Sequence, residues 1–157
     1  MSALSFTGIL AFRSSRPNAS GPPGEAEVLT LNPQRSATIC KITGWDRLQA
    51  GSLNLTVPNG VVDDLKALKP TWTELGRSVN YPPQYAYIPL RREAYLYYLA
   101  DAAAHDKQQE VLVRTAKNPI AGRVELFASL SLVTSLGLGE GDPVTVKVRA
   151  KSCASGE

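Results

Sequence analysis

Residues 51–57 read Gly51-Ser52-Leu53-Asn54-Leu55-Thr56-Val57. Leu53, Leu55 and Val57 fall on one side of an extended chain, with Ser52, Asn54 and Thr56 on the other. That period of two predicts a half-buried strand. Asn59-Gly60 closes it. The next stretch, Val61 to Lys69, predicts a short helix with Asp near its start and Lys at its end, stopped by Pro70. The same alternation returns at 143–148, where Val144, Val146 and Val148 share a face. Residues 6–12 form another short β-type run.

Further strands are expected over 26–31 and 37–42, joined by the turn signal Asn32-Pro33-Gln34-Arg35. Two more are expected over 110–115 and 122–127, around the break at Asn118-Pro119. Ser129 to Leu136 predicts a short helix, with Leu130, Val133 and Leu136 at helical spacing and Gly137 ending it. Gly139-Glu140-Gly141-Asp142 predicts a reversal with positive φ values before the closing strand. The best helix is expected from Leu90 to His105, with His105 as the cation at its C-terminus. Residues 13–25 form a long polar loop. Seven or eight strands with two to three short helices predict a mainly β chain, whose sheet closes into a barrel to remove its edges. One domain is expected over 1–149, followed by a polar tail over 150–157.

Composition narrows the function classes. Of 157 residues, 43% are hydrophobic and 20% charged, which excludes disordered, collagen-like and coiled-coil chains. The 11 Pro and 12 Gly argue against a helical bundle and for a turn-rich, strand-rich fold. Lys plus Arg outnumber Asp plus Glu by 17 to 14, and the excess is scattered. Residues 101–157, for example, carry seven basic and seven acidic groups. Nucleic-acid binding needs a concentrated basic face, so no nucleic-acid partner is expected. A DNA-binding barrel of the swapped-hairpin type would need a basic stripe that this scatter does not supply. No apolar stretch approaches the ~20 residues of a membrane span, and no membrane association is expected. Arg13 and Arg16 follow the first apolar residues rather than preceding them, the wrong order for a secretory signal. A cytoplasmic protein with Cys40 and Cys153 reduced is the default. Cys40 reads as a small buried hydrophobe. With His105 as the one further soft ligand, no zinc site is implied.

Four features carry candidate chemistry. Ser52 and Asn54 can aim two neutral oxygens at one point, and Mg²⁺ takes one or two protein oxygens while water and phosphate supply the rest. An ordinary solvent-facing strand gives the same pattern. Glu125 is an acid inside the apolar strand Val124-Glu125-Leu126-Phe127, so it either faces solvent or accepts hydrogen bonds from a ligand. Gly21-Pro22-Pro23-Gly24-Glu25 can present backbone N–H groups to a phosphate, although two prolines remove two donors. It also reads as a plain loop. Gly137-Leu138-Gly139-Glu140-Gly141 resembles half a dinucleotide fingerprint but ends a helix and opens a strand, the reverse of the required context.

Three segments together resemble the archaeal CTP-dependent riboflavin kinase family. They are Gly51 to Val57, the run from Val124-Glu125-Leu126-Phe127-Ala128 through Leu138-Gly139-Glu140-Gly141-Asp142-Pro143-Val144, and the opening Thr7-Gly8-Ile9 with its glycine-bearing loop. Their order and spacing agree over roughly residues 6–149. The resemblance implies a closed six-stranded cradle-loop barrel. It implies transfer of the γ-phosphoryl group of CTP to the ribityl hydroxyl of riboflavin, giving FMN. By resemblance, Ser52 and Asn54 would hold Mg²⁺, and Gly8, Gly21, Gly24 and Glu25 would lie over the nucleotide. Thr115 and Glu125 would face the flavin. A relative that keeps the barrel and binds a flavin or nucleotide without catalysis is the other expectation.

Overall fold

The computed structural model describes residues 2–11, 33–49, 53–74, 94–116 and 122–149. Seven strands appear among them: β1 (Ser2–Leu10), β2 (Leu53–Thr56), β3 (Trp72–Glu74), β4 (Tyr95–Ala104), β5 (Lys107–Ala116), β6 (Arg123–Phe127) and β7 (Pro143–Arg149). Three helices accompany them: α1 (Pro33–Thr43), α2 (Val61–Lys66) and α3 (Leu132–Leu136). All pairings are antiparallel, in the order β3-β4-β5-β6-β2-β1-β7. The second half of β4 also pairs with β7, Ala100 opposite Val148 and Ala103 opposite Thr145. That contact closes six strands into a barrel and leaves β3 as a flap on the first half of β4.

Alternation fills the barrel. Leu53 and Leu55 of β2, Val111 and Val113 of β5, Val124 and Leu126 of β6, and Val144, Val146 and Val148 of β7 all point inward into one apolar core. Val62 and Leu65 of α2 and Leu132 and Leu136 of α3 join it. Both short helices are set by their ends. Gly60 opens α2 at φ 98°, a left-handed value that suits glycine. The Ser131 hydroxyl accepts the Thr134 N–H at the start of α3, and Gly137 ends it at φ 65°. The reversal before β7 takes its positive φ from Gly141 alone, at 83°.

Two elements differ from the sequence-based expectation. The stretch 37–42 is not a strand: it lies within α1, and Pro33 stands in its first turn, where a missing N–H costs nothing. Cys40 is half-buried there as a free thiol rather than a core residue. The expected helix from Leu90 to His105 is instead β4 over its described part. Its side chains are apolar on both faces, because the inner face lines the barrel and the outer face carries a second core. That second core joins Tyr95, Tyr97, Leu112 and Phe127 to Ile39 of α1, with Trp45 and Trp72 packed against them. His105 therefore caps no helix. With Asp106 it makes a two-residue hairpin turn, φ 51° and 62°, as a type I′ turn requires. No helix among the described residues is long and apolar enough to cross a membrane. The expected strand at 26–31, the loop at 13–25, Cys153 and the tail lie outside the described residues.

Candidate functional site

The outer face of the barrel carries one continuous row of side chains. Strand register places Asn54 of β2 opposite Glu125 of β6, Glu125 opposite Arg114 of β5, Arg114 opposite Tyr97 of β4, and Tyr97 opposite Trp72 of β3. Side chains directly opposite on one face touch, so five strands contribute one polar-to-aromatic stripe. Helix α1 lies over its aromatic half.

At the covered end, Trp72 stacks on Tyr97 with ring centroids 4.7 Å apart. The Tyr97 hydroxyl donates to Glu74 Oε1 at 2.9 Å, and Arg35 Nε of α1 donates to Glu74 Oε2 at 2.5 Å. Arg35 and Glu74 are both buried. Burial pushes the Tyr97 hydroxyl well above the usual tyrosine range, with the Arg114 guanidinium pulling the other way, so Tyr97 stays a donor.

At the middle, Arg114 donates from Nε to Glu125 Oε1 at 3.2 Å and more closely from Nη2 to the same oxygen. The guanidinium carbon lies 4.1 Å from the Tyr95 ring centroid and 5.3 Å from that of Phe127. Burial is the strongest single influence and works to lower the Arg114 pKa, but the Glu125 carboxylate together with Tyr97 and Tyr95 outweighs it and keeps the group protonated. Glu125 thus neither simply faces solvent nor awaits a ligand alone. It is a partly exposed carboxylate already engaged by a buried arginine.

At the β2 end, Asn54 is half-buried, and its Oδ1 is buried without a hydrogen-bond partner among the described residues. A neutral carboxamide oxygen left without a donor is chemically suited to a hard cation such as Mg²⁺. Among the described residues, no three His, Cys, Asp or Glu side chains group around a common metal position. Ser52, the second expected metal ligand, lies outside the described residues, as do Gly21, Gly24 and Glu25.

The remaining expected site residues stand elsewhere. Thr115 is buried on the opposite face of the sheet from Glu125, its neighbour across the strands being Leu96. Its hydroxyl has no partner among the described residues, and the same is true of the buried Tyr98 hydroxyl, which burial pushes up to about 12. Gly8 pairs with Val144 in the barrel wall. A Cβ there would lie 3.0 Å from both Leu55 Cβ and Val57 Cγ1, so Gly8 is where those two side chains pack directly against the backbone of β1. The structure brings Asn54 and Glu125 together and does not bring Thr115 or Gly8 to them.

Sequence reasoning passed over Arg114, Arg35, Glu74 and Tyr97. Arg114 carries the signal that singled out Glu125: a charge inside an apolar strand, here Val111-Leu112-Val113-Arg114. Two such ions of opposite sign on strands joined by a short connection are candidates for a cross-strand pair. No protein-family model matches the chain, and no curated protein is significantly similar to it.

Proposed function

We propose that the chain is a riboflavin kinase-like phosphotransferase, moving the γ-phosphoryl group of a nucleotide, CTP by resemblance, to the ribityl hydroxyl of riboflavin and giving FMN. The observation that carries this reading is the direct pairing of Asn54 with Glu125. The residue expected on the metal side and the residue expected on the flavin side are cross-strand neighbours on one face. Phosphoryl transfer asks mainly for such juxtaposition and for charge neutralisation, with little covalent chemistry from the protein. Bound at Asn54 Oδ1, Mg²⁺ would neutralise the phosphate oxygens. Asn54 and, by resemblance, Ser52 would hold it. Glu125 would accept a hydrogen bond from the flavin substrate and fix its orientation. The glycine-bearing loop around Gly21, Gly24 and Glu25 would supply backbone donors to the nucleotide. A cytoplasmic setting goes with this reading.

A second reading is a barrel that binds a flavin or nucleotide without catalysis. One observation favours it: Glu125 is already satisfied by Arg114, as a purely structural carboxylate would be. The purified protein incubated with riboflavin, Mg²⁺ and either CTP or ATP separates the two. FMN in the products supports the kinase, and Asn54→Ala then abolishes its formation while the thermal transition is retained. Riboflavin binding with no FMN from any nucleotide supports the binding protein. Neither FMN nor bound flavin overturns both.

A further inference from the structure

We propose that Arg114 is the positioning residue of this site: it fixes the Glu125 carboxylate beside Asn54, and Glu125 in turn meets the ligand. The inference rests on the flavin-side reading of Glu125 given above.

The two ion pairs beneath and beside α1 differ in a way that points to different duties. In Arg35–Glu74, both side chains are 3% exposed, and neither partner is presented to solvent. In Arg114–Glu125, the arginine is 1% exposed and the carboxylate 25%. The base is sealed inside while the acid is presented outward. A surface pair with both ends in water would be weak and mobile. This one is anchored from the protein side.

The anchor is stiff. Arg114 is directly opposite Glu125 in the β5–β6 register, so the backbones set their separation. The guanidinium carbon lies over the rings of Tyr95 on β4 and Phe127 on β6. A planar fork stacked on aromatic faces has little freedom left to lose, which a lysine could not reproduce. Nε and Nη2 converge on one carboxylate oxygen, Oε1, and so fix the place of that oxygen from two directions. Glu125 therefore does not have to be ordered when a ligand arrives, and an ordered partner binds more tightly than a mobile one.

The test is a double-mutant cycle on riboflavin binding, read by quenching of flavin fluorescence with the full chain. The variants are Arg114→Gln, Arg114→Lys, Glu125→Gln and the Arg114→Gln/Glu125→Gln pair, each checked for an intact thermal transition. Loss of about tenfold in affinity is expected for Arg114→Gln and for Glu125→Gln, with the pair no weaker than Glu125→Gln alone. Arg114→Lys restores part of the loss. In turnover, Arg114→Gln raises KM for riboflavin and leaves KM for the nucleotide unchanged. If Arg114→Gln does not fold, Arg114→Lys takes its place: riboflavin affinity falls in the wild-type background and not in Glu125→Gln. Additive losses in the pair, with wild-type binding intact, overturn the positioning role and leave the proposed function standing. Absence of wild-type riboflavin binding overturns both at their common root.

Discussion

Glu74 of β3 and Arg35 of α1 form a buried ion pair, 2.5 Å from Nε to Oε2, that ties the helix to the strand flap on the outside of the barrel. Glu74 also accepts the Tyr97 hydroxyl, so both its oxygens are used. Buried pairs of this kind contribute little net stability against an apolar alternative, yet breaking one leaves an uncompensated buried charge.

Removing one partner should therefore cost far more than removing both. Glu74→Gln or Arg35→Met is expected to destabilise by about 3–5 kcal/mol, measured by urea unfolding. The double variant Arg35→Met/Glu74→Gln should recover part of that loss, since the glutamine carboxamide oxygen can still accept the Tyr97 hydroxyl. Single variants within experimental error of wild type would show that α1 is not held by this pair.

The close packing at Gly8 makes a second prediction. A methyl group there meets Leu55 and Val57 at 3.0 Å, and both are buried in the barrel core. Both contacts are tight, and the Leu55 and Val57 side chains must give by a few tenths of an ångström inside a packed core. Gly8→Ala is expected to destabilise by about 1–3 kcal/mol, as overpacked cores do. A variant with unchanged stability and weaker nucleotide binding would instead give Gly8 a ligand role.

What can be read from the chain, and what cannot, follows from burial. β2, β6 and β7 have one face in the barrel and one face outside, so their alternation survives in the sequence. The helices α2 and α3 announce themselves through Gly60, Ser131 and Gly137 at their ends. β4 does not: apolar packing on both faces erases the period of two, and Ala102-Ala103-Ala104 imitates a helix. α1 fails in the opposite sense. Its buried residues include Arg35 and Ile39, one turn apart, and a buried arginine breaks the apolar stripe that marks a helix. The site divides the same way. Asn54 and Glu125 stand out locally as polar groups on good strands. The pairing of Arg35 with Glu74 spans 39 residues and depends on a helix and a strand flap that local patterns do not place.

Asp142 should contribute to acid sensitivity. Its Oδ2 accepts His105 Nε2 at 2.9 Å and the Gly139 N–H at 2.7 Å, clasping the β4–β5 hairpin turn to the turn before β7. The His105 hydrogen bond first, and the Gly139 N–H second, hold its carboxyl below the usual aspartate range. A carboxyl depressed in the folded state stabilises at pH values above its unfolded pKa of about 3.9 and loses that contribution as pH falls through the folded value. Thermal midpoints recorded from pH 6 down to pH 2 should fall less steeply for Asp142→Asn than for wild type. Parallel curves would remove Asp142 from the acid transition.

Thr115 offers a test that separates the two faces of the sheet. Its hydroxyl is buried on the barrel side, with no partner among the described residues, while Glu125 stands on the outer face. An unpaired buried hydroxyl costs about 1–3 kcal/mol, and valine keeps the β-branched shape without it. Thr115→Val is thus expected to be as stable as wild type or more so, by thermal and urea unfolding. Because the hydroxyl points away from Glu125, riboflavin affinity should be unchanged, whereas Glu125→Gln should lower it. A Thr115→Val protein that gains stability and loses riboflavin binding would mean that the ligand reaches into the barrel itself. The Thr115 hydroxyl would then be the partner the flavin satisfies.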